Sequence, residues 1–177
     1  KTAFQAIFGT EKITIDHIAR AIASFERTLI SFNAPFDRFI AGEKDAISAS
    51  AQRGWKLFQG KARCITCHEF NRSYPFFTNN KFHNVGVAMK GKDFEFLARK
   101  AASSGADPSA LVQEEASAEL GRYLVTKEPK DIGAFKTSGL RNIALTAPYM
   151  HDGSESTLES VVEFYNKGGV PNPNLDG

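Results

Sequence analysis

Apolar residues recur at helical spacing in several stretches of this chain, separated by long runs with no regular period. The clearest stretch is Ile15, Ile18, Ala19, Ile22, Phe25 and Leu29, behind Thr14 as a capping residue. Asp16, Arg20, Glu26 and Arg27 lie on its opposite face. This pattern predicts an amphipathic core helix, broken by Asn33 and Pro35; a partner-binding helix is the weaker alternative. His17 sits beside the stripe in the first turn and is read as structural. Ahead of it, Phe4, Ile7 and Phe8 read as the end of a helix stopped by Gly9. Phe36 to Ala41 form a short helix closed by Gly42, and Ser48 caps a helix running to about Phe58 and ended by Gly60. Residues 69–106 interleave turn formers with Phe70, Tyr74, Phe76, Phe77 and Phe82 and predict a long loop. Asp107-Pro108 opens a helix reaching Leu120 or Leu124, with Glu114 and Glu115 on its solvated face. Thr157 caps a last helix from Leu158 to about Asn166, ended by Gly168-Gly169, with Leu158, Val161, Val162 and Tyr165 on one face. The fold class that follows is mostly α, with long loops and at most short hairpins.

One stretch turns this pattern into chemistry. Cys64-Ile65-Thr66-Cys67-His68 reads C-x-x-C-H, the attachment site of a c-type haem. Two thiols on one turn can each bond a haem vinyl group, and the next residue then lies under the ring as proximal iron ligand. A disulfide, a zinc half-site and a thioredoxin-like redox pair are the alternatives. Zinc wants a second Cys/His pair at ligand spacing, and the redox pair wants a βαβ pattern; both are missing. The chain therefore reads as a cytochrome c-like helical domain around one haem c, with Cys64, Cys67 and His68 holding it.

Charge and composition narrow the rest. With 22 basic and 20 acidic residues the net charge is +2, and no basic run suggests nucleic acid. No apolar stretch approaches the roughly 20 residues of a membrane span. Thioether attachment is made outside the cytoplasm, so a periplasmic, exported protein is expected. The absence of an initiator methionine and the turn-rich tail Pro171–Gly177, with no closing element, suggest a fragment. Trp55, nine residues before Cys64, packs on the haem edge or donates its indole N–H to a propionate; simple core packing is the alternative. Lys136 and Arg141 are candidate partners of the haem propionates, because carboxylates favour paired donors; an exposed pair of charges is the alternative. For the sixth iron position the residues leave Met89, Met150, His83, His151, Tyr149 and Tyr165 open. Methionine would raise the reduction potential, whereas an anionic phenolate would favour oxidised iron.

Several segments resemble the bacterial dihaem cytochrome c peroxidase and MauG family. They are Ile18 to Leu29, Arg53 to Phe58 leading into the Cys64–His68 motif, Phe82 to Gly86 and, most specifically, Leu140 to Gly153. The resemblance covers almost the whole chain but only the C-terminal half of such an enzyme. It implies that residues 48–177 form the haem domain and that residues 1–47 pack toward a missing N-terminal domain carrying a second haem, where peroxide reacts. It implies a six-coordinate, electron-handling haem on Cys64 and Cys67. The family's distal methionine falls at Tyr165, and tyrosine there is the mark of MauG-like members. Those use hydrogen peroxide to oxidise residues of a partner protein through a high-valent dihaem state. Tyr165 is thus the expected distal ligand, with Met150 its main rival. The resemblance further implies a calcium ion held partly by main-chain oxygens at Thr146 and Pro148, a ligand type that suits a hard cation. A conventional peroxidase fed by a small cytochrome or copper protein, a monohaem electron carrier and a haem sensor are the alternatives.

Overall fold

The computed structural model describes residues 2–91, 93, 96, 99 and 118–176. The helix expected to open at Asp107-Pro108 lies outside the described residues. The chain divides into two compact units, Lys1–Gln52 and Arg53–Gly177.

The first unit contains α1 (Thr2–Phe8), α2 (Ile15–Glu26), α3 (Pro35–Ala41) and the start of α4 (Ala49–Gln59). Their ends follow from local chemistry. The Thr14 hydroxyl accepts the His17 amide at 3.3 Å, and His17 Nδ1 accepts the Thr14 amide at 3.4 Å. Such a cap contributes about 1 kcal/mol. The His17 ring also stacks on Phe8, 4.6 Å between centroids, in keeping with a structural role. Gly42 closes α3 at φ +117°, in the left-handed region. Ser48 Oγ accepts the Ala51 amide at 3.1 Å and starts α4.

Two expectations fail in α2. The helix ends at Glu26 rather than Leu29, because the Thr28 and Leu29 amides turn back onto Phe25 and Glu26 at 2.8 and 3.0 Å. The Thr28 hydroxyl reinforces the stop by donating to the Phe25 carbonyl at 2.7 Å. Nor is the stripe a core. Ile15 is 83% exposed, Ile22 52% and Phe25 62%. An apolar stripe is buried only where a second layer lies on it, and α1, α2 and α3 bury no residue at all.

The second unit contains the end of α4, a 3₁₀ turn at Cys64–Thr66, strand β1 (Phe82–His83), a turn at Val87–Met89, α5 (Tyr123–Thr126), strand β2 (Phe135–Lys136) and α6 (Leu158–Asn166). The strands pair antiparallel, Phe82 with Lys136 and His83 with Phe135. The described residues are thus mostly helical with long loops, as expected, but the core is not made of helix stripes. Ala88, Met89, Leu120, Leu124 and Ile132 form it, with Tyr123, Phe135 and Val170 packed against them. Leu120 is fully buried; truncating such a leucine to alanine costs about 2–5 kcal/mol. Gly121, at φ +57°, lets the chain pass so close to Ala134 that a Cβ would collide with the Ala134 carbonyl. There the Arg122 amide donates to that carbonyl at 2.9 Å.

The tail is fastened rather than open. Asn84, 1% exposed, donates its side-chain amide to the Ile132 carbonyl and its main-chain amide to the Asp176 carboxylate, at 2.9 and 2.7 Å. The Asp176 amide returns a bond to the Asn84 carbonyl at 2.9 Å. Residues 171–176, which hold no helix or strand, as expected, are thereby fastened within the haem-motif unit. In α6, Thr157 caps as expected, its hydroxyl accepting the Ser160 amide at 3.1 Å. The inward face is centred on buried Phe164, however, while Val162 is 68% exposed. No helix among the described residues is long and apolar enough to cross a membrane.

Candidate haem site

The C-x-x-C-H segment is shaped by its own backbone. Arg63 takes a left-handed φ of +56° and turns the chain out of α4. The His68 amide then donates to the Cys64 carbonyl at 2.9 Å, closing one turn over the two thiols. Neither cysteine forms a disulfide, and both are half-buried. Burial pushes the Cys64 thiol up from its ordinary pKa, with Cys67 adding to the effect.

His68 is oriented from the loop that follows. Its Nδ1 lies 2.9 Å from the Phe77 carbonyl. A carbonyl can only accept, so Nδ1 carries the proton and Nε2 keeps its lone pair. Burial holds the imidazole below the usual histidine range, against the opposing pull of main-chain acceptors at Phe77 and Ser138. The ring is therefore neutral near pH 7, as a metal ligand must be. The loop is held in place just after Phe77. The Asn79 amide donates to the Cys67 carbonyl at 2.9 Å, and the Thr78 hydroxyl donates to the Thr137 carbonyl at 2.6 Å. Two thiols on one turn and a neutral imidazole with its proton on Nδ1 are the donor set a c-type haem requires, so the residues present fit the group. Phe77 was invisible in the sequence, because it acts through its main chain and any residue type supplies a carbonyl.

The structure separates the candidates for the sixth position. His83 is bonded on both ring nitrogens, Nε2 to Asn79 at 3.1 Å and Nδ1 to Asp176 at 3.2 Å. His151 Nε2 is 2.8 Å from the Glu119 carboxylate, and its ring stacks on Phe135. Met89 is buried in the hydrophobic core. Tyr149 donates its hydroxyl to the Ile143 carbonyl at 2.8 Å. Met150 is half-buried at a left-handed φ of +69°. Tyr165, on α6, leaves 47% of its surface exposed. Its phenol is nevertheless desolvated enough to raise its pKa, and the Cys67 and Cys64 thiols push it further in the same direction. Of these candidates, Tyr165 is the one whose ionisation senses both cysteines.

The remaining candidates are dispersed. Trp55 joins Phe58, Phe70 and Phe77 in an aromatic cluster with centroids 5.6 to 6.3 Å from its own. Phe58 in turn lies 6.5 Å from the His68 ring. Trp55 thus braces the loop that orients His68. Lys136 is exposed on β2, whereas Arg141 is half-buried and donates from Nε to the Pro75 carbonyl at 2.7 Å. Thr146 and Pro148 are both exposed. Among the described residues no group of three or more His, Cys, Asp or Glu side chains is arranged to hold a metal, so an ion near Thr146 would depend on main-chain oxygens.

Comparison with known proteins gives a consistent result. A family model described as di-haem cytochrome c peroxidase matches residues 1–45. A cytochrome-c peroxidase, IdrP1, of Denitromonas iodatirespirans is 39% identical over 97% of this chain and 46% of its own length. The methylamine utilization protein MauG of Methylorubrum extorquens is 40% identical over 97% of this chain and 41% of its own length. A solved structure of a MauG-like protein associated with microbial copper homeostasis aligns with a TM-score of 0.60 and 30% identity, covering 97% of this chain and 50% of the other. The chain spans about half the length of the relatives it matches. The fold, the C-x-x-C-H corner and these matches together make the chain a member of the dihaem cytochrome c peroxidase and MauG family.

Proposed function

We propose that this chain is the electron-handling haem half of a MauG-like dihaem oxidoreductase, which uses hydrogen peroxide to oxidise a partner protein. The observation that carries the reading is the Cys64–His68 turn, which sets two thiols beside an imidazole held at Nδ1 by the Phe77 carbonyl 2.9 Å away. Bound haem c supplies a one-electron redox centre here. Cys64 and Cys67 would anchor it by thioethers, and His68 Nε2 would bind the iron. His68 Nδ1–H stays on the Phe77 carbonyl, which fixes the ring and raises the basicity of Nε2. Tyr165 would supply the second protein ligand as a phenolate, and a hard anionic oxygen there would favour oxidised iron and a low potential.

The wider assignment follows the same reading. The exposed stripe of α2 in residues 1–47 is the surface on which the family's other haem domain packs. Thr146 and Pro148 would supply main-chain oxygens to a calcium ion, and Lys136 and Arg141 would pair with the haem propionates. The mature protein is periplasmic and exported, as covalent haem attachment requires. A second reading, a conventional peroxidase drawing electrons from a small cytochrome or copper protein, is favoured by the peroxidase names of several relatives. The oxidised absorption spectrum decides between them. A Met–iron charge-transfer band in the unaltered protein overturns Tyr165 as ligand. Tyr165→Met is expected to create that band and to raise the potential by a sizeable part of the roughly 0.8 V that axial ligands span.

A further inference from the structure

Lys90 follows the buried turn Val87–Met89 and reaches two distant elements. Its ammonium donates to Ser154 Oγ at 2.9 Å and to the Glu155 carboxylate, and it lies 5.0 Å over the ring of Phe164. The side chains of Lys90 and Glu155 are 29% and 15% exposed. Glu155 is also part of the loop's frame. Its main chain pairs with Tyr149 through bonds of 2.7 and 3.3 Å, which closes the loop carrying Met150. One cation therefore grips the loop that carries Met150 and the helix that carries Tyr165, the two rivals for the iron.

We infer that Lys90 is a positioning residue that selects the distal ligand. Met150 sits at φ +69°, a conformation that residues other than glycine leave readily unless held. The Lys90–Glu155 contact holds the loop in that state, while the cation over Phe164 braces α6 one residue from Tyr165. With both elements clamped, the loop cannot relax and carry the Met150 thioether toward the iron in place of the phenol. A surface ion pair would have little such influence. This pair is partly buried, joins residues 65 apart in sequence and acts on three partners at once.

The inference rests on Tyr165 as ligand, and the test separates the two. Haem-loaded protein is compared as wild type, Lys90→Met, Lys90→Arg, Lys90→Met with Met150→Leu, and Tyr165→Phe. Readouts are the oxidised spectrum and the midpoint potential. Lys90→Met is expected to gain a Met–iron band and a higher potential, Lys90→Arg to keep the wild-type spectrum, and the added Met150→Leu to abolish the new band. Should Lys90→Met fail to load or fold, Glu155→Gln serves instead, with the same direction expected. A lower melting temperature with a wild-type spectrum and potential overturns ligand selection and leaves Lys90 a structural residue. A change in Tyr165→Phe with none in Lys90→Met overturns only the role of Lys90. No change in Tyr165→Phe overturns the ligand reading beneath it.

Discussion

The two sides of the candidate haem site are built in opposite ways. On the Cys64–His68 side, three donors lie within five consecutive residues, and a carbonyl nine residues on holds the imidazole at 2.9 Å. On the side proposed for the distal ligand, the rivals Met150 and Tyr165 stand on separate elements, which contact Lys90, some 60 or more residues earlier in the chain. A contiguous motif positions its donors by local backbone geometry, so little else can misplace them. Donors on separate elements depend on every contact between those elements. The first side is therefore suited to anchoring a group and the second to tuning it.

That contrast can be broken at its strong end first. Replacing Cys64 and Cys67 together by alanine should abolish covalent haem, read as loss of haem staining on a denaturing gel. Retention of that signal would refute the anchoring role. Next in size is the Tyr165→Met exchange described above, which should leave covalent haem intact and move the potential and spectrum alone. The Lys90 variants should follow, with a partial shift in the same direction.

Smaller effects sharpen the comparison. Thr157→Ala removes the cap of α6 and should destabilise that helix by about 1 kcal/mol, seen as a lower midpoint in denaturant with unchanged thioether content. Acid should act last and on the distal side. The Lys90 and Ser160 hydrogen bonds hold the Glu155 carboxyl below the usual carboxylate range. A depressed folded-state pKa means its stabilisation is present above the unfolded value and is lost as pH falls through the folded one. In the haem-loaded protein, where His68 Nε2 would be held by iron rather than open to a proton, the 149–155 loop should then gain hydrogen-exchange rate in acid before the 64–79 segment does. Equal acceleration of both segments would count against the clamp.

Much of this was legible from residues alone. Thr14, Ser48 and Thr157 mark helix starts because capping is a contact within one turn. Cys64, Cys67 and His68 identify themselves because thioether attachment fixes their spacing. The apolar stripe of α2 marked a helix but not its surroundings. Periodicity says which residues share a face and nothing about what covers it, and here Ile15, Ile22 and Phe25 are exposed. The shared face of Leu158, Val161, Val162 and Tyr165 on α6 likewise left its surroundings open: only the packing decides that Phe164 is buried and Val162 exposed.

Residues alone carried the helix starts at their caps, the C-x-x-C-H candidate and the family resemblance, because each rests on contacts or patterns local in the chain. Only the tertiary structure distinguished the histidines: His68 Nδ1 is held by the Phe77 carbonyl, whereas Nε2 of His83 and of His151 is taken up by Asn79 and Glu119. It also placed the core on loops and turns around Leu120, fastened the tail through Asn84 and Asp176, and gave Lys90 its hold on the loop and on α6. Those are hydrogen bonds and contacts between residues far apart in the chain, and no local period or spacing encodes them.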